Sequence, residues 1–168
     1  MYKRILVPFD GSATSTKGLD EAINLAKLTG ARLRLIHMAD ELDFATGFET
    51  SAVYARDVIP QMKETGERIL DEGATRAAAA GVEVETFLFE RIATRLAELV
   101  AEQAKAWGAD LVVIGTHGRR GVGRLLLGSD AEQIVRMAPV PVLLVRAPEV
   151  EDDARTTAQP GEPTGIGR

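Results

Sequence analysis

The chain has no cysteine, only two histidines, a single tryptophan and an aromatic content of 5%. Without cysteine there are no disulfides and no thiolate chemistry, and two histidines build a zinc site only with carboxylate help. A structural metal is therefore not expected. No apolar stretch approaches the roughly 18 residues that a spanning helix needs. The run Ile5-Leu6-Val7-Pro8-Phe9 is also shorter than the apolar region of a secretory signal. These absences predict a cytoplasmic protein with no membrane partner. Basic charge is in the minority, 20 Lys and Arg against 25 Asp and Glu for a net charge of -5. No stripe of basic residues with aromatics between them is present to neutralise a phosphate backbone, so nucleic acid is not an expected partner.

The composition that remains, 45% hydrophobic and 27% charged over 168 residues, is that of one soluble globular domain. The negative charge is uneven. Residues 149–168 hold five acids and two arginines, a balance of -3 that leaves -2 on residues 1–148. That stretch is rich in Pro, Gly and Thr without periodicity, and it cannot bury enough apolar surface to offset its ordering entropy. Residues 1–147 are thus expected to form the α/β domain and residues 148–168 an acidic, disordered tail.

Within the domain, apolar runs rich in branched residues alternate with stretches of helical periodicity, the pattern of a parallel sheet covered on both faces. Strands are predicted at 4–8, 33–38, 82–89, 111–114 and 140–145. Leu19, Ala22, Ile23 and Ala26 share one helical face closed by Gly30, and Ala131, Ile134, Val135 and Ala138 repeat the spacing. Leu96, Leu99, Val100 and Trp107 mark a helix ending at Gly108, and the Ala-rich span 54–80 reads as another, leaving 40–50 as a loop. The alternation Val82-Glu83-Val84-Glu85 suits a sheet edge, Leu111-Val112-Val113-Ile114 suits the centre, and Pro141 suits the opposite edge. The expected fold is a single Rossmann-like open parallel sheet of five strands, order 3-2-1-4-5, with helices on both faces.

The segment Gly115-Thr116-His117-Gly118-Arg119-Arg120-Gly121-Val122-Gly123-Arg124-Leu125-Leu126-Leu127-Gly128-Ser129 carries five glycines and three arginines but no acid. It leads from a buried strand to a helix N-terminus, where free amides and the dipole favour an anion such as phosphate. Glycines that merely shape a turn are the plain alternative. In an open α/β sheet, ligands sit beyond the carboxyl ends of the strands at the topological switch, and Asp10 and Gly115 end strands one and four. A P-loop is excluded because Gly118-x4-Gly123 is followed by Arg124-Leu125 rather than Lys and Ser or Thr. The dinucleotide fingerprint and the hydrolase elbow are absent as well.

The spacing Gly115-x2-Gly118-x9-Gly128-Ser129 resembles the G-2x-G-9x-G-(S/T) motif of the ATP-binding branch of the universal stress protein family. Val7-Pro8-Phe9-Asp10-Gly11-Ser12, His37-Met38, the run from Ala109 to Gly115 and that from Pro139 to Val145 resemble family signatures too, so the likeness spans residues 2 to about 146. It implies an ATP-binding stress-response regulator, with the nucleotide at the carboxyl ends of strands one and four and Mg bound, if at all, through the phosphates. The implied ATP-binding set is Pro8, Asp10, Met38, Ile114, Gly115, Gly118, Gly128, Ser129 and Asp130, with Asp10 near the ribose or adenine and the Met38 backbone against adenine. Each has a plainer reading: Asp10 caps the first helix or turn, and Ser129 is the N-cap of a capping box with Glu132. Arg119, Arg120 and Arg124 either touch phosphates or simply face water, and His37 is expected to carry no chemistry. Asp130 departs from the pattern, since a carboxylate there repels phosphates.

Three functions follow. The first is a nucleotide-binding regulator with at most a slow ATPase, since no base beyond Asp10 stands beside the loop. The second is an ATP-using enzyme of the adenylating or ATP-pyrophosphatase type, and the third a nucleotide-free dimeric interaction module. A homodimer through residues 140–145 is expected, because Val142-Leu143-Leu144-Val145 leaves an unpaired sheet edge.

Overall fold

A computed structural model describes residues 1–39, 59–89, 95–116 and 128–146. The elements follow one another as β1 (Arg4–Pro8), α1 (Ala13–Thr29), β2 (Arg32–Met38), α2 (Ile59–Ala79), β3 (Val84–Phe89), α3 (Leu96–Trp107), β4 (Leu111–Gly115), α4 (Ser129–Met137) and β5 (Val142–Val145). The strands form one parallel sheet in the order β3-β2-β1-β4-β5, as the strand patterns predict. β4 is buried along Leu111–Ile114, whereas the edge strands β3 and β5 are half-covered.

The helices form because their apolar residues recur on one face and their ends are capped. Ser12 caps α1 by accepting the Ser15 amide at 3.1 Å, and Gly30 ends it in the left-handed conformation at φ 69. Gly108 ends α3 in the same way. Alternate strand residues supply two cores. On one face Ile5, Val7, Leu33 and Leu35 pack against Leu19, Ile23, Ile69 and Leu70 of α1 and α2. On the other Leu6, Ile36, Val112 and Ile114 pack against Leu99, Val100 and Trp107 of α3 and Ala131 and Ile134 of α4. Burying each large aliphatic side chain stabilises the fold by about 1.5–3 kcal/mol before entropy is counted.

Two local expectations are corrected. The third strand begins at Val84 rather than at residue 82. Val82 instead closes the turn after α2, its amide reaching the Ala77 carbonyl at 3.1 Å. The fifth begins at Val142, because Pro141 has no amide to enter a ladder and offers only its carbonyl, which accepts from Val112 at 2.9 Å. On α4, Ala131 and Ile134 are buried but Val135 is 45% exposed, so its apolar face is narrower than the spacing suggests. The predicted loop 40–50, the start of the second helix and the predicted tail lie outside the described residues.

Candidate functional site

The ladders define where the sheet opens. β1 follows β2 as far as Pro8–Ile36, but its register with β4 covers only Ile5–Leu111 and Leu6–Val112. The two central strands therefore separate over their carboxyl halves, at the point where the chain order reverses. Such a crevice is where open α/β sheets take ligands. Pro8 favours the gap because it brings no amide donor to it.

Beyond β1 the chain turns sharply. The Asp10 carboxylate accepts the Ser12 amide at 2.9 Å, Gly11 takes φ 75, and Ser12 then starts α1. The plainer reading of Asp10 as a turn residue thus holds in part: it fastens the turn, while the helix cap itself is Ser12. Across the gap, Gly115 ends β4 directly beneath the first turn of α1. A Cβ on Gly115 would lie 2.8 Å from both Cγ2 and O of Thr14, and one on Gly18 would lie 3.2 Å from the Gly115 amide nitrogen. The first distance is too short for any side chain and the second leaves only a tight fit, so this glycine pair lets α1 sit on the end of β4. Gly115 therefore serves helix–strand packing, whatever else it touches. Ile114 is 3% exposed and its side chain belongs to the core, leaving only its backbone for a ligand.

The chain leaves β4 at Thr116 and re-enters description at Gly128, and the two are joined: the Gly128 amide donates to the Thr116 carbonyl at 2.9 Å, and the Thr116 amide to Val145 at 2.9 Å. The N-terminus of α4 is thereby held at the carboxyl end of β4. Gly128, not Ser129, is the N-cap, because its carbonyl accepts the first helical bond, from Glu132 at 2.9 Å. The capping box expected between Ser129 and Glu132 is thus corrected. Glu132 pairs instead with Arg136 at 2.8 Å. Ser129 is the first helical residue, and it and Asp130 are both exposed. Free amides and the dipole of this helix end favour an anion, which the Asp130 and Glu132 carboxylates in the first turn oppose.

Pro8, Asp10, Met38, Ile114, Gly115, Gly128, Ser129 and Asp130 all stand at the carboxyl end of the sheet, drawn from β1, β2, β4 and α4. Gly118 and the arginines 119, 120 and 124 lie outside the described residues. One contact that the sequence did not suggest involves His37. Its Nδ1 lies 2.8 Å from the Phe9 carbonyl oxygen in a buried setting. A carbonyl only accepts, so Nδ1 carries the proton. The signal available in the sequence was the His37-Met38 signature at the end of β2.

Among the described residues, no group of three or more His, Cys, Asp or Glu is arranged to hold a metal ion, and no helix is long and apolar enough to cross a membrane.

These features define a parallel α/β protein whose sheet opens at its switch point against a helix N-terminus. The Universal stress protein family model matches residues 1–146, and the chain belongs to that family. It is 35% identical over 152 residues to Universal stress protein MJ0531 of Methanocaldococcus jannaschii, covering 90% of this chain and 86% of that one. The crystal structure of a universal stress protein family member from Burkholderia pseudomallei superposes with a TM-score of 0.68 at 33% identity, covering 87% of this chain and 97% of that one. A universal stress protein solved in complex with cAMP superposes with a TM-score of 0.59 at 26% identity, over 86% of this chain and 97% of that one.

Proposed function

We propose that this chain binds an adenine nucleotide, ATP, in the crevice between β1 and β4 and acts as a regulatory protein of the stress response. The observation that carries this reading is the early end of the β1–β4 ladder at Leu6–Val112, faced by an α4 N-terminus that Gly128 ties to Thr116. In this reading Asp10 and the Met38 backbone meet the nucleoside, with Pro8 and the Ile114 and Gly115 backbones forming the wall. Gly118, Gly128 and Ser129 surround the phosphates, and any Mg binds through those phosphates. Asp130 stands at the phosphate end and lowers affinity by charge repulsion. The bound cAMP of the relative described above supports an adenine nucleotide as the ligand class.

The domain comprises residues 1–147, residues 148–168 form a tail outside it, and the protein works in the cytoplasm. Turnover of ATP is slow at most, since Asp10 already holds the Ser12 amide at 2.9 Å and is a poor candidate for a free general base. Calorimetric titration with ATP, ADP and AMP tests the reading, together with mass spectrometry of whatever small molecule purifies with the protein. Stoichiometric binding without product is the expected result. Substrate-dependent pyrophosphate release would favour the adenylating enzyme, and absence of binding would leave an interaction module.

A homodimer through residues 140–145 is part of this proposal. Leu144 of the edge strand is 37% exposed, and Val135 and Met137 of α4, which covers the same side of the sheet, are 45% and 44% exposed. Apolar side chains beside an unfilled strand edge suit a second copy. Sedimentation at micromolar concentration is expected to give dimer; monomer alone would remove this part.

A further inference from the structure

We propose, building on the nucleotide reading above, that His37 is the positioning residue for the base end of the site. Its imidazole terminates the β1–β2 ladder and leaves the Met38 backbone to read the edge of the base. Along a parallel strand, successive residues turn both their backbone groups alternately to one neighbour and the other. Ile36 faces β1, its carbonyl accepting from the Phe9 amide at 2.9 Å, and Ala39 faces β3, its amide donating to Phe89 at 3.3 Å. Met38, two residues on from Ile36, therefore faces β1. Regular continuation would set the Met38 amide on the Phe9 carbonyl. That oxygen instead carries the Nδ1–H of His37 at 2.8 Å, and the paired register stops at Pro8–Ile36.

The ring is fixed from behind by α2. A Cβ at Gly66 would lie 3.1 Å from His37 Cδ2 and 2.5 Å from Leu88 Cδ1, so a side chain at 66 would displace Leu88 and press against the imidazole. The outcome is an amide and a carbonyl of one residue, side by side, directed at the space next to Asp10. That donor and acceptor match the N1 acceptor and N6 amino donor of adenine, and they oppose the N1–H donor and O6 acceptor of guanine. His37 thus acts through Phe9 and Met38 and selects adenine without touching it.

The test compares ATP and GTP titrated into wild type, His37→Phe, which keeps a ring and loses the donor, and His37→Gln, which supplies a donor again. Wild type should prefer ATP. His37→Phe should lose roughly tenfold or more in ATP affinity, the scale of one or two backbone hydrogen bonds, with GTP little changed, and His37→Gln should recover part of the loss. Equal ATP affinity in wild type and His37→Phe, or an equal loss for both nucleotides, would overturn the proposal while leaving the nucleotide reading intact. Wild type that binds neither nucleotide overturns both. Should His37→Phe fail to fold, the 15N spectrum of the wild-type histidine decides. A tautomer protonated at Nδ1, with and without ATP, is expected, and one protonated at Nε2 rules the arrangement out.

Discussion

The two ends of the sheet are built differently. At the amino end the strands are laced together: the Asp110 carboxylate accepts the amides of Lys3 and Arg4 at 2.7 and 3.1 Å, and the Arg4 guanidinium donates to the Trp107 carbonyl at 2.9 Å. Beside it Arg34 lies over the Trp107 ring at 4.8 Å and bonds Gln103 at 3.3 Å and Glu85 at 3.0 Å. At the carboxyl end the central strands part, and their last backbone groups meet turns, an imidazole and helix ends. Cross-linking concentrated at one end holds the strands while the other end stays open, so stability and ligand binding should respond to different substitutions.

The sharpest way to break that contrast is Gly128→Val. The φ of -58 at this position suits any residue, so the fold should persist. If the α4 amides hold phosphate, the added side chain costs charge-assisted contacts of about 1.5–3 kcal/mol each and one or more orders of magnitude in ATP affinity. The same loss is expected for Gly118→Val. Unchanged affinity by calorimetry in both would mean that these glycines only shape a loop. At the other end, Asp110→Ala leaves two amides without their carboxylate and should lower unfolding free energy by about 1–3 kcal/mol in denaturant titrations, with ATP affinity unaltered. A fall in affinity instead would show that the two ends are coupled.

Asp10→Ala should weaken ATP binding by less, several-fold, since it removes one polar contact to the nucleoside, about 1 kcal/mol. It should also loosen the turn that the Ser12 amide bond fastens, seen as faster amide exchange at the start of α1. Smaller still is the effect of Asp20→Asn. Asp20 holds Arg76 of α2 at 2.5 and 3.0 Å, and the guanidinium's pKa is raised first by that hydrogen bond and then by the carboxylate's charge. Both side chains are partly in water, at 51% and 30% exposure, so about 0.2–1 kcal/mol of stability should be lost, and less at high salt. The sign follows from the raised value: the contribution is present throughout the neutral range and fades only as pH rises through the arginine's own pKa. Removing residues 149–168 should change neither the denaturation midpoint nor ATP affinity, and a loss of several kcal/mol would show the tail to be docked.

Sequence alone determined the element order and the five-stranded parallel sheet with β1 at its centre. These follow from periodicity, continuous against alternating apolar runs, and glycines placed just past helices, all of which are encoded within a few residues of where they act. Tertiary structure alone decided how those pieces meet. Gly115 and Gly18 are glycines because α1 and β4 approach within a side chain's width. The N-terminus of α4 is anchored because the Gly128 amide donates to Thr116, twelve positions back in the chain. His37, expected from the sequence to carry no chemistry, reaches the Phe9 carbonyl across 28 residues. Each of these depends on two segments far apart in the chain coming within about 3 Å, a distance that no local pattern of residue types specifies.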